Sequence, residues 1–333
     1  MKKLFAMLLA VVMIFSLATV SFASEDVETP VYEDMETVTV TKTYTATNEG
    51  TVSPAETFSF TALTCVSVTD AAKDVTAANA PVPTIGSVDF AAGEASATGE
   101  ATATKDITIT LPEYTSVGIY TYTFSEVVGN TAGVTYHADP ITLKVTVIQG
   151  EDGKIRVAAV HTESAGEKSD DFENVYSAGS LAVSKTVTGN LGDQTKDFIV
   201  EVTFTAPEGL TVKESITYFD GEEKAIAAGW TGTSTVEIAL KHGETVTFEN
   251  IPYGVAYTVV ENDYTGDGYK AAKYTVSDNA YVIDSALDTV GITNDKTTNV
   301  DTGVVMDSIP YVLILAVAAF GIVAIMSKKR YEV

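Results

Sequence analysis

Leu181-Ala182-Val183-Ser184-Lys185-Thr186-Val187 alternates with a period of two, so that Leu181, Val183, Lys185 and Val187 fall on every second position. In an extended strand that spacing points the four side chains to one face. Three are hydrophobic and the fourth is a lysine, whose ammonium is costly to hold against a core unless something there neutralises or consumes its charge. The earlier run Val38-Thr39-Val40-Thr41-Lys42-Thr43-Tyr44 repeats the arrangement, again with a lysine on the apolar face and threonine after it. The chain therefore reads as two domains, each built around one such lysine, with a boundary near Tyr176 to Ser180.

Outward from these runs the sequence is rich in Thr, Val, Tyr and Phe, and turn residues recur at short intervals: Asn48-Glu49-Gly50, Gly129-Asn130, Gly150 to Gly153, Gly189-Asn190, Asp220-Gly221 and Gly266 to Gly268. Many short strands between turns predict an all-β chain of two tandem β-sandwich domains, and no long stretch carries a helical period. Residues 70–105, rich in Ala, Thr and Gly with Pro81 and Pro83, are expected to be a long surface excursion of the first domain.

The two halves repeat each other weakly. Tyr120, Tyr122, Phe124 and Glu126 share one parity in the first half, and Tyr253, Val255, Tyr257, Val259 and Glu261 share one in the second. Each half closes with an asparagine in phase with apolar neighbours: Phe172, Asn174 and Tyr176, then Val290, Ile292 and Asn294. The order Lys, Glu, Asn thus occurs twice, as Lys42, Glu126, Asn174 and as Lys185, Glu261, Asn294.

These three types suit one reaction. Desolvation among apolar side chains lowers a lysine's pKa toward the neutral, nucleophilic amine. The same dryness raises a glutamate's, so that it can stay protonated, hydrogen-bond the carboxamide and shuttle protons. Attack of Lys on Asn would expel ammonia and leave an amide between two side chains, once, without a cofactor. The competing reading is an ordinary buried ion pair.

The ends carry different signals. Met1 to Ala23 has Lys2 and Lys3, an apolar stretch and Ser21-Phe22-Ala23 before acidic residues, the pattern of a secretory signal peptide. Ile309 to Met326 is uncharged and long enough to cross a bilayer, and Ser327-Lys328-Lys329-Arg330 would stay in the cytoplasm. Residues 24–302 hold 15 basic against 43 acidic residues, a net −28 that repels phosphate backbones and argues against nucleic-acid binding. One cysteine, Cys65, excludes an intramolecular disulfide despite the extracellular address. It reads as a packed residue, with a thioester to Gln149 or Gln194 as the alternative. His137, His161 and His242 show no triad or zinc spacing, and Asn262 to Gly268 reads as a turn before a calcium loop, so no metal or cofactor is expected.

On Ser184-Lys185-Thr186-Val187, Tyr257 to Glu261 and Ile292 to Lys296 in the second half, and on Thr41-Lys42-Thr43, Tyr122 to Glu126 and Phe172 to Tyr176 in the first, the chain resembles the FctA-like backbone pilins of Gram-positive bacteria. Those proteins carry tandem isopeptide-forming Ig-like (CnaB-type) domains. The resemblance spans about residues 35–330 and implies domains at 35–177 and 178–298, isopeptide bonds Lys42–Asn174 and Lys185–Asn294, and Glu126 and Glu261 as the groups that promote them. Residues 299–333 are similar to a sortase sorting signal, with Thr302 and Gly303 as the acyl site. Asp301 stands where the family usually has proline. The implied partners are a pilus-class sortase, identical subunits in a covalent polymer, minor pilins and host surface ligands, and the implied place is a wall-attached pilus with a membrane-anchored precursor. Lys168 is the candidate acceptor for the neighbouring subunit's Thr302, with Lys154 second. The alternative is a wall-anchored adhesin or minor pilin that uses residues 70–105 to bind a host protein or carbohydrate. No turnover of an external substrate is expected.

Overall fold

The structure, a computed structural model, describes residues 34–97, 101–277 and 281–299. The expected signal peptide at 1–23, the apolar segment at 309–326, and Thr302 with Gly303 lie outside the described residues. The first half contains β1 (Thr37–Thr47), β2 (Glu56–Phe58), β3 (Thr64–Thr69), β4 (Thr84–Ile85), β5 (Val88–Phe90), β6 (Thr102–Thr110), β7 (Gly118–Phe124), β8 (Val134–Thr135), β9 (Ile141–Gln149), β10 (Ile155–Ser164) and β11 (Glu167–Lys168). A long strand, β12 (Asp171–Thr188), follows. The second half adds β13 (Phe198–Thr205), β14 (Ile216–Phe219), β15 (Glu223–Ile226), β16 (Thr233–Leu240), β17 (Thr245–Pro252), β18 (Ala256–Glu261), β19 (Lys273–Val276) and β20 (Leu287–Asp295). Among the described residues the one helical element is a 3-10 turn, Thr265–Asp267. The absence of a 3.6-residue period, and the abundance of β-branched and aromatic residues that fit a pleated surface, account for this.

Each half is a β-sandwich. In the first, β4, β6, β1 and β12 form one sheet and β11, β10, β9, β7 and β3 the other. In the second, β15, β14, β17, β12, β20 and β19 face β16, β13 and β18. Strict alternation fills the first core: β7 buries Gly118, Tyr120, Tyr122 and Phe124 and leaves the residues between them half-buried. Tyr44, Phe58 and Phe90 meet edge to face with centroids 5.1–5.6 Å apart. Each such ring, fully buried, contributes about 1.5–3 kcal/mol. The second core packs Val200, Val202, Phe204, Phe248, Tyr257 and Ile292.

One expectation needs correction. Residues 70–105 are not merely a surface excursion. Ala80, Val88, Phe90 and Ala95 from this stretch are buried in the first core, and the Pro81 carbonyl accepts from the Tyr122 hydroxyl at 2.6 Å. Its small residues and prolines mask β5, a three-residue strand too short to show a period, which pairs with β2 from outside the stretch. The boundary near Tyr176 to Ser180 falls within β12, which runs straight through it. Its buried positions are Phe172, Asn174, Tyr176 and Ala178, then Gly179, Leu181, Val183, Lys185 and Val187. Its register with β1 and with β20 is continuous, and the extra residue of the irregularity opposite Gly179 and Leu181 lies on β17, so β12 serves two cores by turning its even-numbered face to the first and its odd-numbered face to the second.

The halves are further tied by polar contacts. Asn250, in a left-handed conformation (φ 58°), accepts from the Val52 N–H at 3.0 Å and donates to the Val52 carbonyl at 3.1 Å, standing in for a strand neighbour. Asn48 donates to the Ala178 carbonyl and to the Tyr253 hydroxyl, both at 2.7 Å. Lys213 reaches the buried Glu56 at 2.9 Å. Ala132, from the first half, is fully buried in the second core.

The changeover between the cores brings another backbone close at Gly179, where a Cβ would lie 2.0 Å from the Ser285 carbonyl oxygen and 3.2 Å from Ile283. Gly179→Ala is expected to destabilise the chain by about 2–4 kcal/mol and lower its thermal midpoint. Gly266→Ala, where nothing lies within 4 Å, serves as the control. Equal midpoints for the two variants would contradict the assignment.

Candidate functional site

Lys42 and Asn174 sit on β1 and β12, which pair in parallel. Lys42 lies opposite Phe172 and Asn174 opposite Tyr44, so the asparagine is the diagonal neighbour of the lysine on one face. The parallel pair of β12 and β20 repeats this: Lys185 lies opposite Ile292 and Asn294 opposite Val187. Glu126 lies two residues past the end of β7 and Glu261 ends β18, both on the facing sheet, so each carboxylate meets its Lys and Asn from across the sandwich. All six residues are buried.

In the first triad the Lys42 ammonium donates to Glu126 Oε2 at 2.6 Å and to Asn174 Oδ1 at 2.7 Å. Asn174 Nδ2 donates to the other carboxylate oxygen, Glu126 Oε1, in a short contact. The backbone N–H of His137 donates to Asn174 Oδ1 at 2.8 Å. Lys42 Nζ also stands 4.8 Å over the Phe58 ring. In the second triad Lys185 donates to Glu261 Oε1 in a short contact, and Asn294 Nδ2 donates to Glu261 Oε2 at 2.6 Å. The Phe198 ring lies 4.0 Å from Lys185 Nζ, and Asn294 Oδ1 is buried without a hydrogen-bond partner among the described residues.

Burial holds both amines below the ordinary lysine value, against the partial opposition of the hydrogen bond and charge of Glu126 and of Glu261. Each glutamate straddles its site, one oxygen on the amine and the other on the amide nitrogen. That arrangement can carry a proton from a nucleophile to a leaving group while holding both reactants still.

The other singled-out residues lie elsewhere. Lys168 is exposed on β11, opposite Glu163, whose carboxylate is held by Lys144 at 2.8 and 2.9 Å and by His161 at 3.0 Å. Lys154 is exposed in the turn between β9 and β10. Cys65 is half-buried on β3, its thiol 3.5 Å from the Ser67 carbonyl. His242 Nδ1 accepts from the Val187 N–H at 3.0 Å. The turn at Asn262 to Gly268 spends its oxygens internally and on a neighbour: Asp263 caps Thr265 and Asp267 pairs with Lys196. What residue types could not disclose are the aromatic rings over each amine and the His137 N–H on Asn174, since a backbone donor has no residue-type signature.

Residues 38–177 match a family model described as a Spy0128-like isopeptide containing domain, and residues 179–300 match one described as a domain of unknown function. A curated protein described as pilin, from Streptococcus pyogenes serotype M1, is 28% identical over 235 residues, which is 64% of this chain and 68% of that protein. Among solved structures, the major pilin from Streptococcus pyogenes is similar at a TM-score of 0.52 and 24% identity, over 79% of this chain and 99% of that one. The major pilin T3.2 from Streptococcus pyogenes serotype GAS13637 is similar at 0.54 and 21%, with the same coverage. At these identities the structures speak for the fold. The all-β sandwich architecture is that of pilins, and the resemblance to FctA-like Gram-positive pilins holds in sequence and in fold.

The lowered lysine pKa fixes a pH dependence for any chain that keeps a free amine. Between the lowered folded value and the ordinary 10.5, the unfolded chain binds one proton more than the folded one, so stability rises with pH through that window and levels off above it. For Glu126→Gln, compared with the same chain also carrying Lys42→Met, the urea midpoint difference should shift in favour of the lysine chain as pH rises from neutral. A flat or opposite trend would count against a desolvated amine.

Proposed function

We propose that this chain is a structural subunit of a Gram-positive cell-surface pilus, made of two sandwich domains at 35–177 and 178–298, each closed by one self-formed Lys–Asn isopeptide bond. The observation that carries the reading is the doubled triad, in which a buried glutamate touches both a buried lysine amine and the amide nitrogen of an asparagine one diagonal step away. Glu126 or Glu261 takes a proton from the ammonium. The neutral Nζ attacks Cγ of Asn174 or Asn294, and the proton on the carboxyl passes to Nδ2, which leaves as ammonia. The carboxylate recovers a proton from Nζ, so the products are an amide, ammonia and a protonated glutamate.

The proposal extends to assembly. Thr302 would be joined by a sortase to a lysine of the next subunit, with Lys168 as the acceptor. Lys168 lies three residues before the start of β12, is exposed, and forms no ion pair among the described residues. Tension entering there would run along β12 past Asn174 to Lys185, roughly 36 Å further on. It would then cross to Asn294 and leave toward Thr302, sparing most of the second sandwich. By the chain-entropy model for cross-links, closing the 132-residue span from Lys42 to Asn174 adds about 4–5 kcal/mol, and the second bond a similar amount.

Intact mass of the secreted chain should fall short of its sequence mass by two ammonia, and Glu126→Ala and Glu261→Ala should each restore one. Full sequence mass in the unsubstituted chain would sink the isopeptide reading. Wall extracts should show a ladder of covalent oligomers that collapses to monomer in Lys168→Arg. A single monomer-sized species in the unsubstituted chain would exclude the polymer role.

A further inference from the structure

The two triads differ at the atom that must accept charge. When Nζ attacks Cγ, the new N–C bond forms as the carbonyl electron pair moves onto Oδ1, and that oxygen stays anionic until the Cγ–Nδ2 bond breaks. Preformed donors 2.7–3.1 Å from such an oxygen accelerate acyl transfer, one donor by about 10²–10³. In the first half Asn174 Oδ1 accepts from Lys42 Nζ and from the His137 N–H at 2.8 Å. The lysine donor is spent when it becomes the nucleophile, which leaves His137. In the second half Asn294 Oδ1 is equally buried and has no donor among the described residues.

The His137 N–H is held in place by its surroundings. β8 pairs with β12 through Val134–Tyr176 and Thr135–Val175, and the chain then continues alongside Asn174. Instead of bonding the β12 backbone at this point, the N–H turns to the asparagine side chain. The His137 ring is fixed on its other side by Ser164 Oγ, 3.0 Å from Nε2, and by the Phe172 ring at a centroid distance of 5.3 Å. Asp171 and Glu173 are the charged residues that flank the site on β12. They contact Thr43 and Thr45 rather than Asn174, which leaves the backbone donor as the group that faces the oxygen.

We propose that the His137 backbone N–H is a one-donor oxyanion site for the first-half bond, with no counterpart in the second half, so that the two bonds form in order, Lys42–Asn174 first and Lys185–Asn294 later. The inference rests on the isopeptide reading. In ordering the two steps, it makes the second bond the slow completing step of a subunit's maturation, and the loop around His137 part of the chemistry.

The test uses freshly synthesised full-length chain, quenched in denaturant at intervals and digested, with each cross-linked peptide pair followed by mass. The Lys42–Asn174 pair is expected to accumulate on the order of 10²-fold faster than the Lys185–Asn294 pair. His137→Pro, which has no N–H, should bring the first rate down toward the second, while His137→Ala, which keeps the N–H, should leave it within a few fold. Equal rates in the unsubstituted chain, or the same slowing in both variants, would overturn the proposal. If His137→Pro does not fold, the comparison of the two sites within one chain together with His137→Ala still decides. If neither pair ever loses ammonia, the isopeptide reading itself has failed; two bonds at matched rates would refute only the oxyanion assignment.

Discussion

A lysine amine pressed against a carboxylate inside a dry core is the interaction on which the rest of the molecule depends. Removing one partner of such a buried pair costs about 3–5 kcal/mol, because the survivor is left charged and unsolvated. The fold must therefore bring three distant segments into register before the lysine is tolerable at all. The sandwich does this by putting the first and last strands of each half side by side and in parallel, with the glutamate descending from the opposite sheet. The same pairing that closes the sheet sets the diagonal Lys–Asn contact.

The two sites solve the burial problem differently. In the first, every polar atom of the asparagine amide oxygen and lysine amine that faces the core finds a partner, and the Phe58 ring adds its negative face to the cation. In the second, the closer Phe198 ring and one carboxylate oxygen serve the amine, and the amide oxygen has no partner among the described residues. An unpaired buried acceptor costs on the order of 1–3 kcal/mol, so the second site is held at higher energy by the surrounding core.

Much of this was legible from residue order. Parity alone placed Lys42, Glu126, Asn174, Lys185, Glu261 and Asn294 on inward faces, and all six are buried together as two triads. Parity also contained the flip within β12, since Phe172, Asn174 and Tyr176 are even while Leu181, Val183 and Lys185 are odd. What it could not say is whether a loop or one unbroken strand joins the two sets, because glycine and serine are common in loops. Residues 70–105 hid their role for a related reason: Phe90 and Val88 belong to a three-residue strand, too short for alternation to stand out. The His137 donor was invisible because position, not side-chain type, supplies it.

The shared strand has a consequence for how such a protein can be varied over evolutionary time. Tandem sandwich domains joined by a free linker can be shuffled, duplicated or trimmed like beads, since each ends before the next begins. Here β12 gives its first part to one core and its second part to the other, with Ala178 and Gly179 both facing inward at the changeover. A recombination breakpoint placed inside that strand must preserve the count of residues across the changeover, for a gain or loss of one would turn a whole inward set, lysine included, away from its core. Exchange is therefore channelled to whole two-domain units or to the turns that bound them, and the pair is inherited as a single mechanical part.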